Sequence, residues 1–392
     1  MKQFTALCGV LAGLVAGSAN AGGIDRSGQS IGILFEKGNY VELSFGQINP
    51  SVSGNDLAIY GGSPTGSVAG KHNLPSLAVK YDFNDKLSGA LIYDQAYGAD
   101  ISYPTGLGSS FMLGGTEAKV NSQGLTALLR YKFSEQFSVH GGLRASKASG
   151  RVALQGRAYG PAFDPADPAT YQSVNGYQVD LAPDWGTGYV IGAAFEKPEI
   201  ALRVALTYFS KVSHKFDSVE TLPGGAAAVA GVATVNAITE TDTPQAVNID
   251  FQTGVAKDTL VFGTIRWVDW SEFEVAPGTF YGPRLGSLAE LEDSTTYTLG
   301  VGRKFTDNWS GSVFVTYEPG GDKLVSPLAP TNGYRGIGFA AVYTQDNMKV
   351  TFGARYLDLG NANPETGTPD VARAEMADNH AVAVGVKVGF SF

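Results

Sequence analysis

Eight basic residues, Lys80, Arg130, Arg144, Arg203, Arg266, Lys349, Arg355 and Lys387, lie in short segments where apolar and polar residues alternate. In each, the cation takes the parity of the small and polar residues, while aromatic and aliphatic residues take the other. A row of cations on one face of a wall, with Phe262 and Phe314 on the same face, could hold an amphiphile. Guanidinium or ammonium would meet a carboxylate, and the rings would meet an alkyl tail. The same charges could instead pair with Asp82, Asp94, Asp250 and Glu318 across an interior.

Catalysis has little material to work with. His72, His140, His214 and His380 are scattered, with no HExxH spacing, no cysteine ligand cluster and no Walker-type or dinucleotide motif. His140 near Arg144 reads as structural, because a barrel hydrolase needs Ser, His and acid groups gathered at one point. No enzyme activity, cofactor or metal is expected.

The elements that must position the cations are strands. Glycine supplies 51 of the 392 residues and proline 18, against an average glycine share of about 7%, which disfavours long helices. Six short polar turns, at 84–85, 134–136, 196–199, 257–258, 306–308 and 345–347, are each bracketed by strand-like runs. The intervals between them hold two strands and one long Gly/Pro-rich loop, so six turns and two ends imply fourteen strands. The last is the clearest: Val384, Val386, Val388, Phe390 and Phe392 alternate with Ala383, Gly385, Lys387, Gly389 and Ser391.

The segments 77–83, 125–133, 137–145, 202–208, 247–255 and 350–356 repeat that pattern. If aromatic and aliphatic residues define the outward face, Lys80, Asp82, Arg130, Lys132, Arg144, Arg203, Asp250, Arg355 and Lys387 all fall inward. By chance this is on the order of one in 500. Facing lipid at mid-depth, Arg or Lys costs about 2 to 4 kcal/mol, falling to about 0 to 1 near the interface. Arg303 carries the outward parity beside a short turn, which places it at the interface. Phe83, Phe133, Phe137, Phe195, Phe305, Trp309 and Tyr343 recur near the turns as a girdle requires. A closed barrel leaves no backbone group unsatisfied in lipid. The predicted fold is therefore all-β, a fourteen-stranded antiparallel transmembrane β-barrel in an outer membrane, with both termini periplasmic. A soluble sandwich or solenoid would share the alternation, but not the girdle or the uncapped final strand.

Residues 1–21 read as a signal peptide, with Lys2, an apolar run and the cleavage site Ala19-Asn20-Ala21. Its removal takes away the single cysteine, Cys8, and shifts the net charge from -9 to -10 by loss of Lys2. With no basic run, nucleic acid is excluded as a partner.

Residues 22–38 precede a barrel of 39–392. Ile31, Ile33, Leu34 and Phe35, with Ile24, make this stretch a short hatch inside the lumen; the alternative is a flexible tail. Phe111-Met112-Leu113, the Ala/Val-rich 226–238, Thr279-Phe280-Tyr281 and 285–291 are apolar patches in outer loops. Such patches serve ligand contact or pack on one another at the mouth. The acids Glu290, Glu292 and Asp293, and Glu365, Asp370, Glu375 and Asp378, could share divalent cations with lipopolysaccharide or simply face water.

Trp267-Val268-Asp269-Trp270-Ser271-Glu272-Phe273, Asp307-Asn308-Trp309, Gly353-Ala354-Arg355-Tyr356 and the stretch 185–212 resemble the FadL/TodX (OMPP1) family of outer-membrane transporters for long-chain fatty acids and other hydrophobic compounds. The resemblance implies a fourteen-stranded barrel closed by an N-terminal hatch, and passive passage of an apolar ligand from the outer loops into the barrel. It also implies an exit after hatch movement, with a wall opening in the third strand, here from Leu87 to about Gly98. Gly89 and Gly98 are candidates for a bulge there. The chain departs from the family at the front: its hatch is short, and the nearest match to the family's Asn-Pro-Ala, Asn49-Pro50-Ser51, ends the first strand.

The function expected is a monomeric channel for hydrophobic small molecules, with fatty acids the default ligand. Arg130, Arg144, Arg203, Arg266, Arg355, Phe262, Phe314, Phe111, Met112 and Leu113 are the candidate contacts. The alternative is an open, water-filled porin for small hydrophilic solutes.

Overall fold

The computed structural model describes residues 24–366 and 370–392. The signal peptide assigned to 1–21, with Cys8, and the first two residues of the hatch lie outside the described residues.

Fourteen strands form one antiparallel wall: β1 (Tyr40–Ser51), β2 (His72–Asp82), β3 (Leu87–Asp94 and Gly98–Ser102), β4 (Glu117–Lys132), β5 (Phe137–Leu154), β6 (Tyr177–Lys197) and β7 (Leu202–Phe209 and Val212–Thr221). They continue as β8 (Thr234–Thr243 and Ala246–Ala256), β9 (Thr259–Val268), β10 (Ser294–Lys304), β11 (Trp309–Glu318), β12 (Tyr334–Gln345), β13 (Met348–Leu359) and β14 (His380–Ser391). β1 pairs with β14 from Tyr40↔Ser391 to Ser51↔His380, so the sheet closes on itself and no edge is left.

Alternation fixes what faces lipid. Phe45, Val386 and Phe352 stand side by side across β1, β14 and β13, and Leu43, Leu129, Leu143 and Leu299 are likewise exposed on the outer face. The inward parity carries Lys80, Arg130, Arg144, Arg266 and Arg355, all buried in the interior. Arg303 is exposed opposite Thr259, next to a short turn, as its interfacial position requires. Near the turns, rings pack in pairs: Phe137 with Phe195 at 4.9 Å, Trp309 with Tyr343 at 5.0 Å. Asp258 and Asp346 take the left-handed conformation at two of these turns (φ 57° and 51°), which a short polar side chain tolerates.

Two apolar clusters fill the interior. One gathers Ile31, Ile33, Leu34 and Phe35 with Tyr97, Leu128, Trp270 and Phe273. The other runs from Phe262 and Phe314 through Tyr103, Met112 and Leu113 to Tyr177 and Phe280. The long loops therefore enter the barrel. Glu220 on β7 anchors one of them: its fully buried carboxylate accepts from the backbone N–H groups of Thr279 (2.9 Å), Phe280 (2.9 Å) and Tyr281 (2.8 Å) and from the Tyr177 hydroxyl (2.8 Å).

Candidate functional site

Residues 24–38 lie against the lumen face of the wall, and most of the expected ligand cations hold them there. Arg266 pairs with Asp25 (2.5 Å) and donates to Gln29 Oε1 (3.1 Å) and Asn248 Oδ1 (2.8 Å), while Asn248 donates to Gly28 O (2.9 Å). Lys349 pairs with Glu36 at 2.7 Å, and Lys80, ion-paired with Asp82, donates to Gly38 O at 2.8 Å.

One 3-10 turn, Gly32–Phe35, turns its apolar side chains into the barrel. Phe35 sits between two guanidinium groups, with Arg130 and Arg203 each 4.5 Å from its ring centroid and the edge of His140 at 6.3 Å. Arg130 also pairs with Glu196 and donates to Leu34 O at 3.2 Å. A guanidinium over a ring face in a desolvated site contributes about 2 kcal/mol or more. Of the other candidates, Arg144 is buried on the lumen face, Arg355 lies 5.6 Å from the Tyr334 ring, and Phe262 and Phe314 are 6.5 Å apart. The loop triad divides: Phe111 is 60% exposed, whereas Met112 and Leu113 are buried. Asp56 holds this turn by accepting from Phe111 N (2.8 Å) and Met112 N (3.2 Å).

The wall has an interruption at β3. Asp94 pairs with Gly124 but Gly98 pairs with Asn121, so four steps on β3 match three on β4. The extra residue is a bulge, and it reverses the faces beyond it. Below the break Ala90 and Ile92 point inward; above it Ala99 and Ile101 do, and Gly98 and Asp100 share the outward face of Asn121 and Lys119. The ladder from β2 to β3 stops at Leu77↔Tyr93. It is replaced higher up by the loop before β2, where Gly70 N donates to Asp100 O at 2.8 Å. Between these points His72 to Ser76 have no partner on β3, and Pro75, which has no N–H to donate, stands in this stretch. Of the two glycines expected to permit a bulge, Gly98 stands at its end, while Gly89 lies in regular pairing.

The N-terminal segment occupies the interruption. Arg26 N donates to Ala96 O (2.8 Å) and Gly98 N to Ile24 O (2.8 Å), an antiparallel pairing centred on Asp25 and Tyr97. Asp25 and Ser27 point into the barrel, where Ser27 Oγ donates to Asp94 at 2.5 Å. A cavity of about 80 Å³ beside this pairing is lined by Arg26, Ser30, Glu42, Leu74, Ser76 and Asp94 among others.

Sequence reasoning did not single out Asp25, Arg26 and Gln29, which stand among glycine and serine with no periodicity. Trp270 entered only as a point of family resemblance, yet it is fully buried and packs edge-on to Tyr97 at 5.8 Å. Glu220 carried no signal, because a single carboxylate in a polar strand end is ordinary.

Comparison with known proteins agrees with this architecture. A structure of a Pseudomonas aeruginosa FadL homologue superposes with a TM-score of 0.71 at 15% identity, covering 92% of each chain. The Pseudomonas putida toluene transporter TodX gives 0.63 at 13% identity over 91% of each chain. The Ralstonia pickettii toluene transporter TbuX gives 0.60 at 11% over 92% of this chain and 90% of that one. At such identities these likenesses speak for the fold alone. No curated protein matches the chain. A family model described as outer membrane protein transport protein (OMPP1/FadL/TodX) matches residues 12–325, and the chain belongs to that family.

Proposed function

We propose that this protein is a passive outer-membrane channel for hydrophobic small molecules, with long-chain fatty acids as the default ligand and residues 22–38 as its plug. The observation that carries the reading is the engagement of the lumen cations. In a water-filled porin, cations such as Arg130, Arg203 and Arg266 would line a constriction and face solute; here they grip Phe35 and Asp25. Apolar side chains at the loop tips, Leu107, Phe111 and Val229, are exposed and supply a first contact for an apolar ligand. The two toluene transporters among the structural neighbours are consistent with a hydrophobic cargo. The barrel works as a monomer, with periplasmic termini and lipid and lipopolysaccharide around its girdle.

Planar-bilayer conductance tests this, comparing the mature chain with one lacking 22–38, with and without oleate. A silent intact chain and a conducting truncation support the plug. Steady conductance of the intact chain, unaffected by oleate, makes the protein a porin.

A further inference from the structure

Among the described residues of the N-terminal segment, Arg26 sends its side chain into the wall opening, and its surroundings suit an anion. Its neighbours Asp25 and Ser27 face the barrel, so in an extended segment Arg26 points the opposite way, into the interruption. Gly98 leaves room for it: a Cβ there would lie 2.3 Å from the Arg26 Cζ. Because Gly98 lies on the outward face beyond the bulge, the guanidinium stands within the wall opening and not at its inner surface. Asp100, next on that face, is its electrostatic partner. Arg26 is only 5% exposed, and its Nε has no hydrogen-bond partner among the described residues.

We propose that Arg26 makes the opening selective for carboxylates, accepting the head group of a hydrophobic acid from the lumen and neutralising it during passage between β2 and β3. The inference rests on the proposed channel function. An ionised carboxylate cannot enter an apolar wall alone, since burying an unpaired charge is prohibitive. A guanidinium offers planar, forked donors that match both carboxylate oxygens. The adjoining cavity, lined by Arg26, Ser30, Glu42, Leu74 and Ser76 among others, gives a head group room to reach the guanidinium. Its other charged groups have partners: Lys387 pairs with Glu42 at 3.1 Å and Asp94 with Ser27 at 2.5 Å. The incoming carboxylate would replace Asp100 as the counter-ion of Arg26.

The test compares oleate with oleyl alcohol, which has the same tail and no charge, in cells carrying the wild-type chain, R26Q, R26K or D100N. Assembly in the outer membrane is measured in parallel. The uptake ratio of oleate to alcohol is expected to fall about tenfold in R26Q, the scale of one charge-assisted hydrogen bond, to recover partly in R26K and to rise in D100N. An unchanged ratio in both R26Q and D100N overturns the assignment, as does an equal change for both ligands, which would mark Arg26 as a structural pin. Failure of the wild-type chain to take up either ligand overturns the channel reading as well.

Discussion

Replacing Phe35 with alanine should unlatch the N-terminal segment at the end that leads into β1. Phe35 is 8% exposed, packed within the cluster of Ile31, Ile33, Leu34 and Leu128 and flanked by Arg130 and Arg203 at 4.5 Å. Truncating a buried phenylalanine costs about 3 to 5 kcal/mol. That figure includes contacts a repacked site would partly restore, so the lower end applies to a short segment free to relax. Because the remaining anchors, Asp25 on Arg266 and Glu36 on Lys349, are untouched, the loss falls on local docking and not on the barrel. At about 1.4 kcal/mol per factor of ten, a loss of about 3 kcal/mol drops the ratio of docked to undocked segment by about two orders of magnitude. Bilayer recordings of F35A should then show brief openings absent from the wild-type chain, and amide exchange at residues 31–36 should accelerate while β14 stays protected. F35L, which keeps most of the volume, should lie between. If F35A is as silent and as protected as the wild type, Phe35 does not hold the segment, and the reasoning from its guanidinium contacts is wrong.

Glu220→Ala should release the loop that enters the barrel, because it deletes the acceptor of three backbone N–H groups and the Tyr177 hydroxyl; limited proteolysis of intact cells should begin to cut near Arg284. Leu143, 71% exposed on the lipid face, should cost about 2 to 4 kcal/mol as L143R in folding into bilayers, whereas R303L near the turn should change stability by less than about 1 kcal/mol. The carboxyl of Glu365, in the loop before β14, is pushed up to about 7 by burial and the neighbouring Asp370. A carboxyl raised above its unfolded value stabilises the loop in its protonated form, so this contribution fades as pH climbs from about 4.5 towards 7. Amide protection at residues 370–376, taken relative to the intrinsic exchange rate at each pH, should be lower at pH 8 than at pH 5, and E365Q should flatten the difference.

The wall was readable because lipid imposes a rule on every strand residue. Leu129 and Arg130, neighbours in sequence, end on opposite faces, and a charge in the wrong parity would cost kilocalories at mid-depth. The count of fourteen follows from six polar turns, which need only their own residues to form. The same regularity hides what departs from it. Nothing in Gln95-Ala96-Tyr97 marks a bulge, since one extra residue on β3 has meaning only against the three steps of β4 that it faces.

The candidate site was legible in part. Parity placed Arg130, Arg203 and Arg266 in the interior, but not their partners, because whether a lumen cation meets a ligand, an acid or a folded-in segment depends on pairings distant in sequence: Asp25 reaches Arg266, and Phe35 reaches both Arg130 and Arg203. Local alternation, backed by the cost of exposing polar groups to lipid, determined barrel, strand number and the face of each residue from the chain alone. Register between strands and the docking of residues 24–38 were decided only in three dimensions. There a single slipped residue opens the wall, and the N-terminal segment finds its hydrogen-bond partners in the backbone that β2 leaves free.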